Sequence, residues 1–211
     1  MKLIGTTELS IPAVKTVKFA RFCDHRGYFT ESFRKTQFAN DIPFMSGIEF
    51  VQANESYSKK GVVRGLHFQW NPHMGKLVRT LHGRMVDIFL DIRKGSPTFG
   101  KAAAHEIAAT PGDESAEWIW VPAGFAHGNY FSQDTLIEYF CSGEYSPNCE
   151  AGISPLAEDI DWSLCDPQLK TELDAAFAEA ELITDKDRNG LTVEAWAADD
   201  RSDNFLYEDL R

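Results

Sequence analysis

Short runs of alternating apolar and polar residues follow one another through the first two-thirds of the chain. "TVKFARF" places Val17 and Phe19 on one face, "DHRG" turns, and "YFTESF" resumes the β-rich composition. "TQFANDI" reads as a short helix. Alternation returns in "IEFVQANES", "GVVRGLHFQ", "KLVRTLHG", "RMVDIFLDIR", "AAAHEIA", "EWIWVP" and "LIEYFCSGEY". Strands at this spacing, separated by "HG", "KGSPTFG", "TPGDES" and "PAG", predict an antiparallel sandwich or barrel rather than βαβ units.

The last fifth of the chain changes period. Asp166 can cap a helix, Pro167 suits its first turn, and Leu169, Leu173, Phe177 and Ala180 then recur on one face. "TDKDRNG" is expected to close that helix with charged and turn-forming residues. The acidic tail carries Trp196, Phe205, Leu206 and Tyr207, which would let it pack. No repeat, low-complexity run or linker interrupts the chain. The expectation is one mainly β domain over 1–211, with 166–211 as a helical and extended C-terminal region.

Composition narrows the partners. At 211 residues and 43% hydrophobic content the chain can bury a substantial core. A net charge of -11 argues against nucleic acid, because phosphate binding needs a basic face. An anionic ligand would therefore be held by a local cluster of Arg and Lys. The start, "MKLIGTTELSIP", lacks a continuous apolar signal segment, and no run approaches membrane-spanning length. Four cysteines with no CxxC pair suit reduced thiols in a cytoplasmic protein.

The stretch "RGLHFQWNPHMGKLVR" gathers cations around a histidine inside this acidic chain. In a regular strand His67 shares a face with Val63, Gly65 and Gln69, while Arg64 falls opposite. For Arg64 and His67 to reach one ligand, Gly65 must allow a bulge or the strand must end nearby. On pattern alone His67 is either a hydrogen-bonded structural residue or a base, and Lys76 either a solvated edge lysine or a cation facing a cavity. Tyr139 reads as a core aromatic and Tyr145 as a turn residue. "VPAGFAHG", with its Pro-x-Gly-x-x-His pattern, resembles the second motif of cupin barrels. Metal-binding cupins add an earlier His-x-His, but "GLHFQ" offers only one histidine there. His67, His127 and a carboxylate such as Glu138 could supply part of a ligand set, so a metal-dependent cupin oxygenase or isomerase is the competing class.

"DHRGYFTESF", "FVQANES", "GVVRGLHFQ", "GKLVRTLHGRMVDIFLDIRKGSPTFG", "WVPAGFAHG", "EYSPNCEAGI" and "TDKDRNG" occur in one order along the chain. In this combination the sequence resembles the nucleotide-sugar epimerases typified by dTDP-4-dehydrorhamnose 3,5-epimerase, from about Phe19 to Asn189. The resemblance implies a metal-free, cofactor-free, cupin-like antiparallel jelly-roll barrel, and a homodimer whose N-terminal strands cross between subunits. It implies His67 as general base, Asp187 as its partner carboxylate, Lys76 near the sugar carbonyl and Tyr139 as acid. Arg26 and Arg64 would grip the diphosphate, with Gln52, Asn54 and Glu150 as further lining. Phe29, Glu31 and His127 occupy motif positions, and Tyr145 would stack on the base.

The implied substrate is a dTDP-4-keto-6-deoxy sugar, whose C3 and C5 protons are acidified by the carbonyl between them. Inversion of both carbons is the leading expectation, and inversion of C3 or C5 alone on a related sugar is the alternative. "SPLAEDIDW" and "HGNYF" depart from the family pattern, the latter placing Asn129 and Tyr130 beside the site.

Overall fold

The computed structural model describes residues 1–179 and 181–210. Strands β1 (Leu3–Glu8), β2 (Lys15–Ala20), β3 (Phe22–Asp24) and β4 (Gly27–Phe29) precede helix α1 (Lys35–Asp41). The barrel continues through β5 (Gln52–Ser58), β6 (Val63–Gln69), β7 (Lys76–Asp91), β8 (Ala102–Ala109), β9 (Ser115–Val121), β10 (Phe125–Phe131), β11 (Thr135–Cys141) and β12 (Glu150–Gly152). Helices α2 (Pro167–Ala178), α3 (Asp185–Arg188) and α4 (Val193–Ala198) complete the C-terminal region.

Among the described residues all strand pairs are antiparallel; β3 and β4 form a separate hairpin, and the other strands lie in two layers joined by β7. One layer runs β1-β2-β9-β7-β11-β5 and the other β8-β7-β10-β6-β12. The predicted break at "HG" is a register slip inside one 16-residue strand rather than a turn. Leu136 pairs with His82 but Ile137 with Thr80, so β7 carries one extra residue there. The slip moves the inward positions from Lys76 and Val78 to Met85, Asp87 and Phe89.

Alternation on β7 then serves two cores. Met85 and Phe89 pack between the layers with Val78, Ile119, Phe131 and Ile137. Val86, Ile88 and Leu90 point outward and are covered by Leu173, Val193, Trp196 and Phe205. The acidic tail therefore packs: Trp196 and Phe205 are fully buried and close on Phe68. On the other outer face, Phe38 of α1 and Ile42 cover Val17, Phe19, Leu77 and Trp118.

The helix expected after Asp166 forms as α2, with the Asp166 carboxylate accepting from the backbone N–H groups of Gln168 and Leu169. Leu173 is its buried position, and Ala180, expected on the same face, lies outside the described residues. "TDKDRNG" does not end α2, which stops at Ala178 with Glu179 at its C-cap. It forms the one-turn helix α3, with Thr184 accepting from the Asp187 N–H. β1 was not legible as a strand; its "LIGTTE" has only a partial apolar face and is held by pairing with β2.

Candidate active site

The open end of the barrel holds a cleft formed by two adjoining pockets of about 630 Å³ and 360 Å³. His67, Lys76, His127 and Tyr139 line both. The β6 register explains how His67 and Arg64 reach one space. His127 pairs with His67 but Asn129 with Arg64, so β6 holds one extra residue in this interval. Gly65 takes φ +106°, and a Cβ there would lie 2.6 Å from Gly128 Cα. Only glycine fits both the backbone angle and the close approach. The bulge turns Arg64 to the cleft wall, where its Nε donates to Ser58 Oγ at 2.9 Å.

Asp187 reaches the site from α3. Its Oδ1 is 2.7 Å from His67 Nε2, and its Oδ2 accepts from the Gly65 N–H at 3.1 Å. Burial pushes the Asp187 carboxyl up, but the His67 bond, the Gly65 N–H and Thr184 together hold it below its ordinary value. With Nε2 committed to Asp187, Nδ1 is the ring nitrogen left without a partner among the described residues.

Lys76 and Tyr139 face this pair from the other layer. Burial pushes the Lys76 ammonium below its ordinary value, against the pull of Cys141, Asp87 and Glu150. No carboxylate among the described residues pairs with Lys76. Burial likewise raises the Tyr139 phenol, so it stays protonated through the neutral range. Deeper in the barrel, buried His127 Nε2 lies 2.8 Å from both Asp87 oxygens, and Asn129 Nδ2 donates to Asp87 Oδ2 at 2.9 Å.

At the rim, Gln52 and Asn54 project from β5 into the smaller pocket, and Gln52 Oε1 accepts from the Tyr145 N–H at 2.9 Å. Tyr145 is exposed, with its hydroxyl donating to Glu150 Oε1 at 3.1 Å. Lys186 Nζ donates to the same oxygen at 2.6 Å. A basic nitrogen, a carboxylate that orients it, a half-buried cation and a neutral phenol around one space can remove a proton from carbon, stabilise an enolate and return a proton.

The family model described as dTDP-4-dehydrorhamnose 3,5-epimerase matches residues 8–195. The chain belongs to this family. A dTDP-4-dehydrorhamnose 3,5-epimerase from Shigella flexneri is 39% identical over 191 residues, spanning 89% of this chain and 94% of that protein. Among solved structures, dTDP-6-deoxy-D-glucose-3,5-epimerase from Legionella pneumophila in complex with dTDP-4-keto-L-rhamnose superposes with a TM-score of 0.77. It is 31% identical and covers 96% of this chain and 97% of its own. A double mutant of a 3′-monoepimerase from Streptomyces bikiniensis, in complex with dTDP, gives a TM-score of 0.74 at 26% identity, covering 95% and 92%. The jelly-roll architecture is thus common to 3,5-epimerases and to a monoepimerase.

Among the positions that the epimerase resemblance singled out, His67, Lys76, His127, Tyr139, Asp187, Arg64, Gln52, Asn54, Tyr145 and Glu150 line the cleft or its rim. Arg26, Phe29 and Glu31 do not. Arg26 pairs with Asp24 at the tip of the exposed β3–β4 hairpin, and Phe29 on the same hairpin is 67% exposed. Glu31 binds the N-terminal ammonium and Arg34. Local hairpin pairing carries Arg26 and Phe29 away from the cleft of their own chain, and the two ion pairs hold Glu31 away from it. Glu138, weighed as a metal ligand, pairs with Arg79 outside the cleft at 2.7 Å. Among the described residues no three His, Cys, Asp or Glu side chains gather as a ligand set.

Asp87 and Lys186 escaped the reading of the sequence. Asp87 had a signal, as a carboxylate inside the apolar run "MVDIFL" that only a buried partner could tolerate. Lys186 had none, lying within a run of charge. Among the described residues no helix is long and apolar enough to cross a membrane.

Proposed function

We propose that this chain inverts C3 and C5 of dTDP-4-keto-6-deoxyglucose, giving dTDP-4-keto-rhamnose without a cofactor. The observation that carries the reading is the 2.7 Å His67–Asp187 pair facing Lys76 and Tyr139 across one cleft. Asp187 fixes the proton of neutral His67 on Nε2, leaving Nδ1 to take the proton from carbon and stabilising the imidazolium that forms. The Lys76 ammonium, short of water and of counter-ions, meets the negative charge that develops on the C4 oxygen. Tyr139, on the opposite layer, returns a proton to the other face of the sugar. Arg64 holds the diphosphate, and Tyr145 beside Gln52 and Glu150 receives the nucleotide.

The working unit in this reading is a homodimer in which the β3–β4 hairpin of one subunit enters the cleft of the other. The hairpin's exposed Phe22, Tyr28 and Phe29, and an Arg26 with no role in its own cleft, support it. Sedimentation of the wild type and of a Phe22→Ser/Phe29→Ser variant tests this. A monomeric wild type would refute the exchange.

The deciding assay is proton NMR in heavy water with dTDP-4-keto-6-deoxyglucose. Deuterium should enter at C3 and C5 with inversion at both. Deuterium at C3 alone would assign the chain to monoepimerisation, and exchange at neither carbon would refute the epimerase reading.

A further inference from the structure

A single residue joins the β3–β4 hairpin to the barrel. β2 ends at Ala20, opposite Ser115 of β9, and β3 begins at Phe22, so Arg21 alone spans the change of direction. Its backbone N–H donates to the Glu114 carbonyl at 2.8 Å and extends the β2–β9 ladder by one bond. The side chain is buried, and its Nη1 donates to the carbonyls of Thr110 and Asp113 at 2.8 and 3.2 Å, in the turn between β8 and β9. That turn is itself braced, because Asp113 accepts from the Thr110 N–H at 2.7 Å and from its hydroxyl at 3.0 Å. From this fixed point the Arg21 guanidinium carbon lies 4.2 Å from the centre of the Tyr28 ring on β4.

The hairpin needs such an anchor. Among the described residues its strands pair with each other and with no other strand, and every residue of both is exposed. Tyr28 faces Cys23 in the ladder, so the stack ties the second strand back to the root of the first. Arg21 Nε is buried without an acceptor. A buried donor left unpaired opposes folding, so the ring and the two carbonyls, rather than complete hydrogen bonding, set where the guanidinium lies.

We infer that Arg21 is a positioning residue for the nucleotide sugar: it sets the angle at which the hairpin leaves the barrel, and so where Arg26 at the tip meets the diphosphate in the other subunit's cleft. The inference rests on the exchange reading above. Arg21 lines neither pocket of its own cleft and acts only through the arm it holds. At the tip, Asp24 accepts from the Arg26 N–H at 2.8 Å and pairs with its guanidinium at 2.6 Å, which folds the turn tightly. An arm held in place before the sugar arrives loses less freedom on binding than one that swings.

Arg21→Ala and Tyr28→Ala each remove one half of the stack, and Tyr28→Phe keeps it. Steady-state kinetics with dTDP-4-keto-6-deoxyglucose, on protein that sedimentation shows to be dimeric, reads the effect. KM should rise about tenfold in both alanine variants with kcat within about twofold of the wild type, and Tyr28→Phe should restore the wild-type KM. Arg26→Ala should raise KM at least as far. Adding Arg21→Ala to it should change KM by less than about twofold, since a residue that acts through Arg26 then has nothing to position. Should Arg21→Ala fail to fold, Tyr28→Ala, at an exposed position, carries the same double-variant test. An alanine variant with wild-type KM overturns the inference, as does one that lowers kcat instead, or whose effect persists in full beside Arg26→Ala. A monomeric wild type, or an Arg26→Ala dimer with wild-type KM, defeats the exchange reading itself.

Discussion

Asp187→Asn separates the orientation of His67 from the bulk of its partner. The Gly65 N–H donates to Asp187 Oδ2, so an amide at 187 must present its oxygen to Gly65 and its NH₂ to His67. His67 Nε2 would then have to accept, and its proton would move to Nδ1, the nitrogen required as base. The variant also loses the carboxylate that stabilises the imidazolium. Opposite charges about 4 Å apart at an effective dielectric near 20 attract by about 4 kcal/mol. The His67 side chain keeps 32% of its exposure, and solvent screening brings that to about 2–3 kcal/mol. At about 1.4 kcal/mol per tenfold, the electrostatic loss alone slows the chemical step by roughly 30–150-fold. The wrong tautomer deepens the loss towards about 10³–10⁴. Deuterium entry at C3 and C5, followed by NMR under saturating substrate, should therefore fall by at least about 10² in kcat with KM nearly unchanged. A folded Asp187→Asn variant within tenfold of wild-type kcat would refute the dyad.

Four further outcomes follow from the same geometry. The Asp187 carboxyl lies below its ordinary value, so its stabilising contribution is complete above about pH 3.9 and lost as pH falls through the folded value; acid unfolding midpoints of wild type and Asp187→Asn should converge below that pH. Lys76→Met should abolish exchange yet raise Tm, because it removes a half-buried cation that burial disfavours and no carboxylate among the described residues pairs; a lower Tm would show that Lys76 is structurally satisfied. Tyr139→Phe should keep deuterium wash-in through His67 but lose inversion, measured by the coupling constants of the recovered sugar. Gly65→Ala combines a Cβ contact at 2.6 Å with a left-handed φ, about 2–5 kcal/mol together, and calorimetry should show Tm lower by roughly 5–15 °C.

Period-two alternation was enough to mark most of the antiparallel strands, since a half-buried sheet writes its two faces into successive residues. Asp166 and Pro167 likewise marked the start of α2, because a cap and a first-turn proline act within one helical turn. The ordered motifs brought the family within reach, and ten of the thirteen positions they singled out line the cleft or its rim. What the sequence could not determine is anything that depends on register. Arg64 and His67 belong to opposite faces of a regular strand, and only the bulge against β10 brings them to one cleft. The apolar run around Asp87 does not say that His127 and Asn129 will close on it from a neighbouring strand. "TDKDRNG" looked like an ending, yet it carries Asp187 across 120 residues of chain to His67. Local chemistry decides elements because caps, turns and alternation act over a few bonds. The site was decided by tertiary structure, because a dyad is a distance between residues that the chain itself keeps far apart.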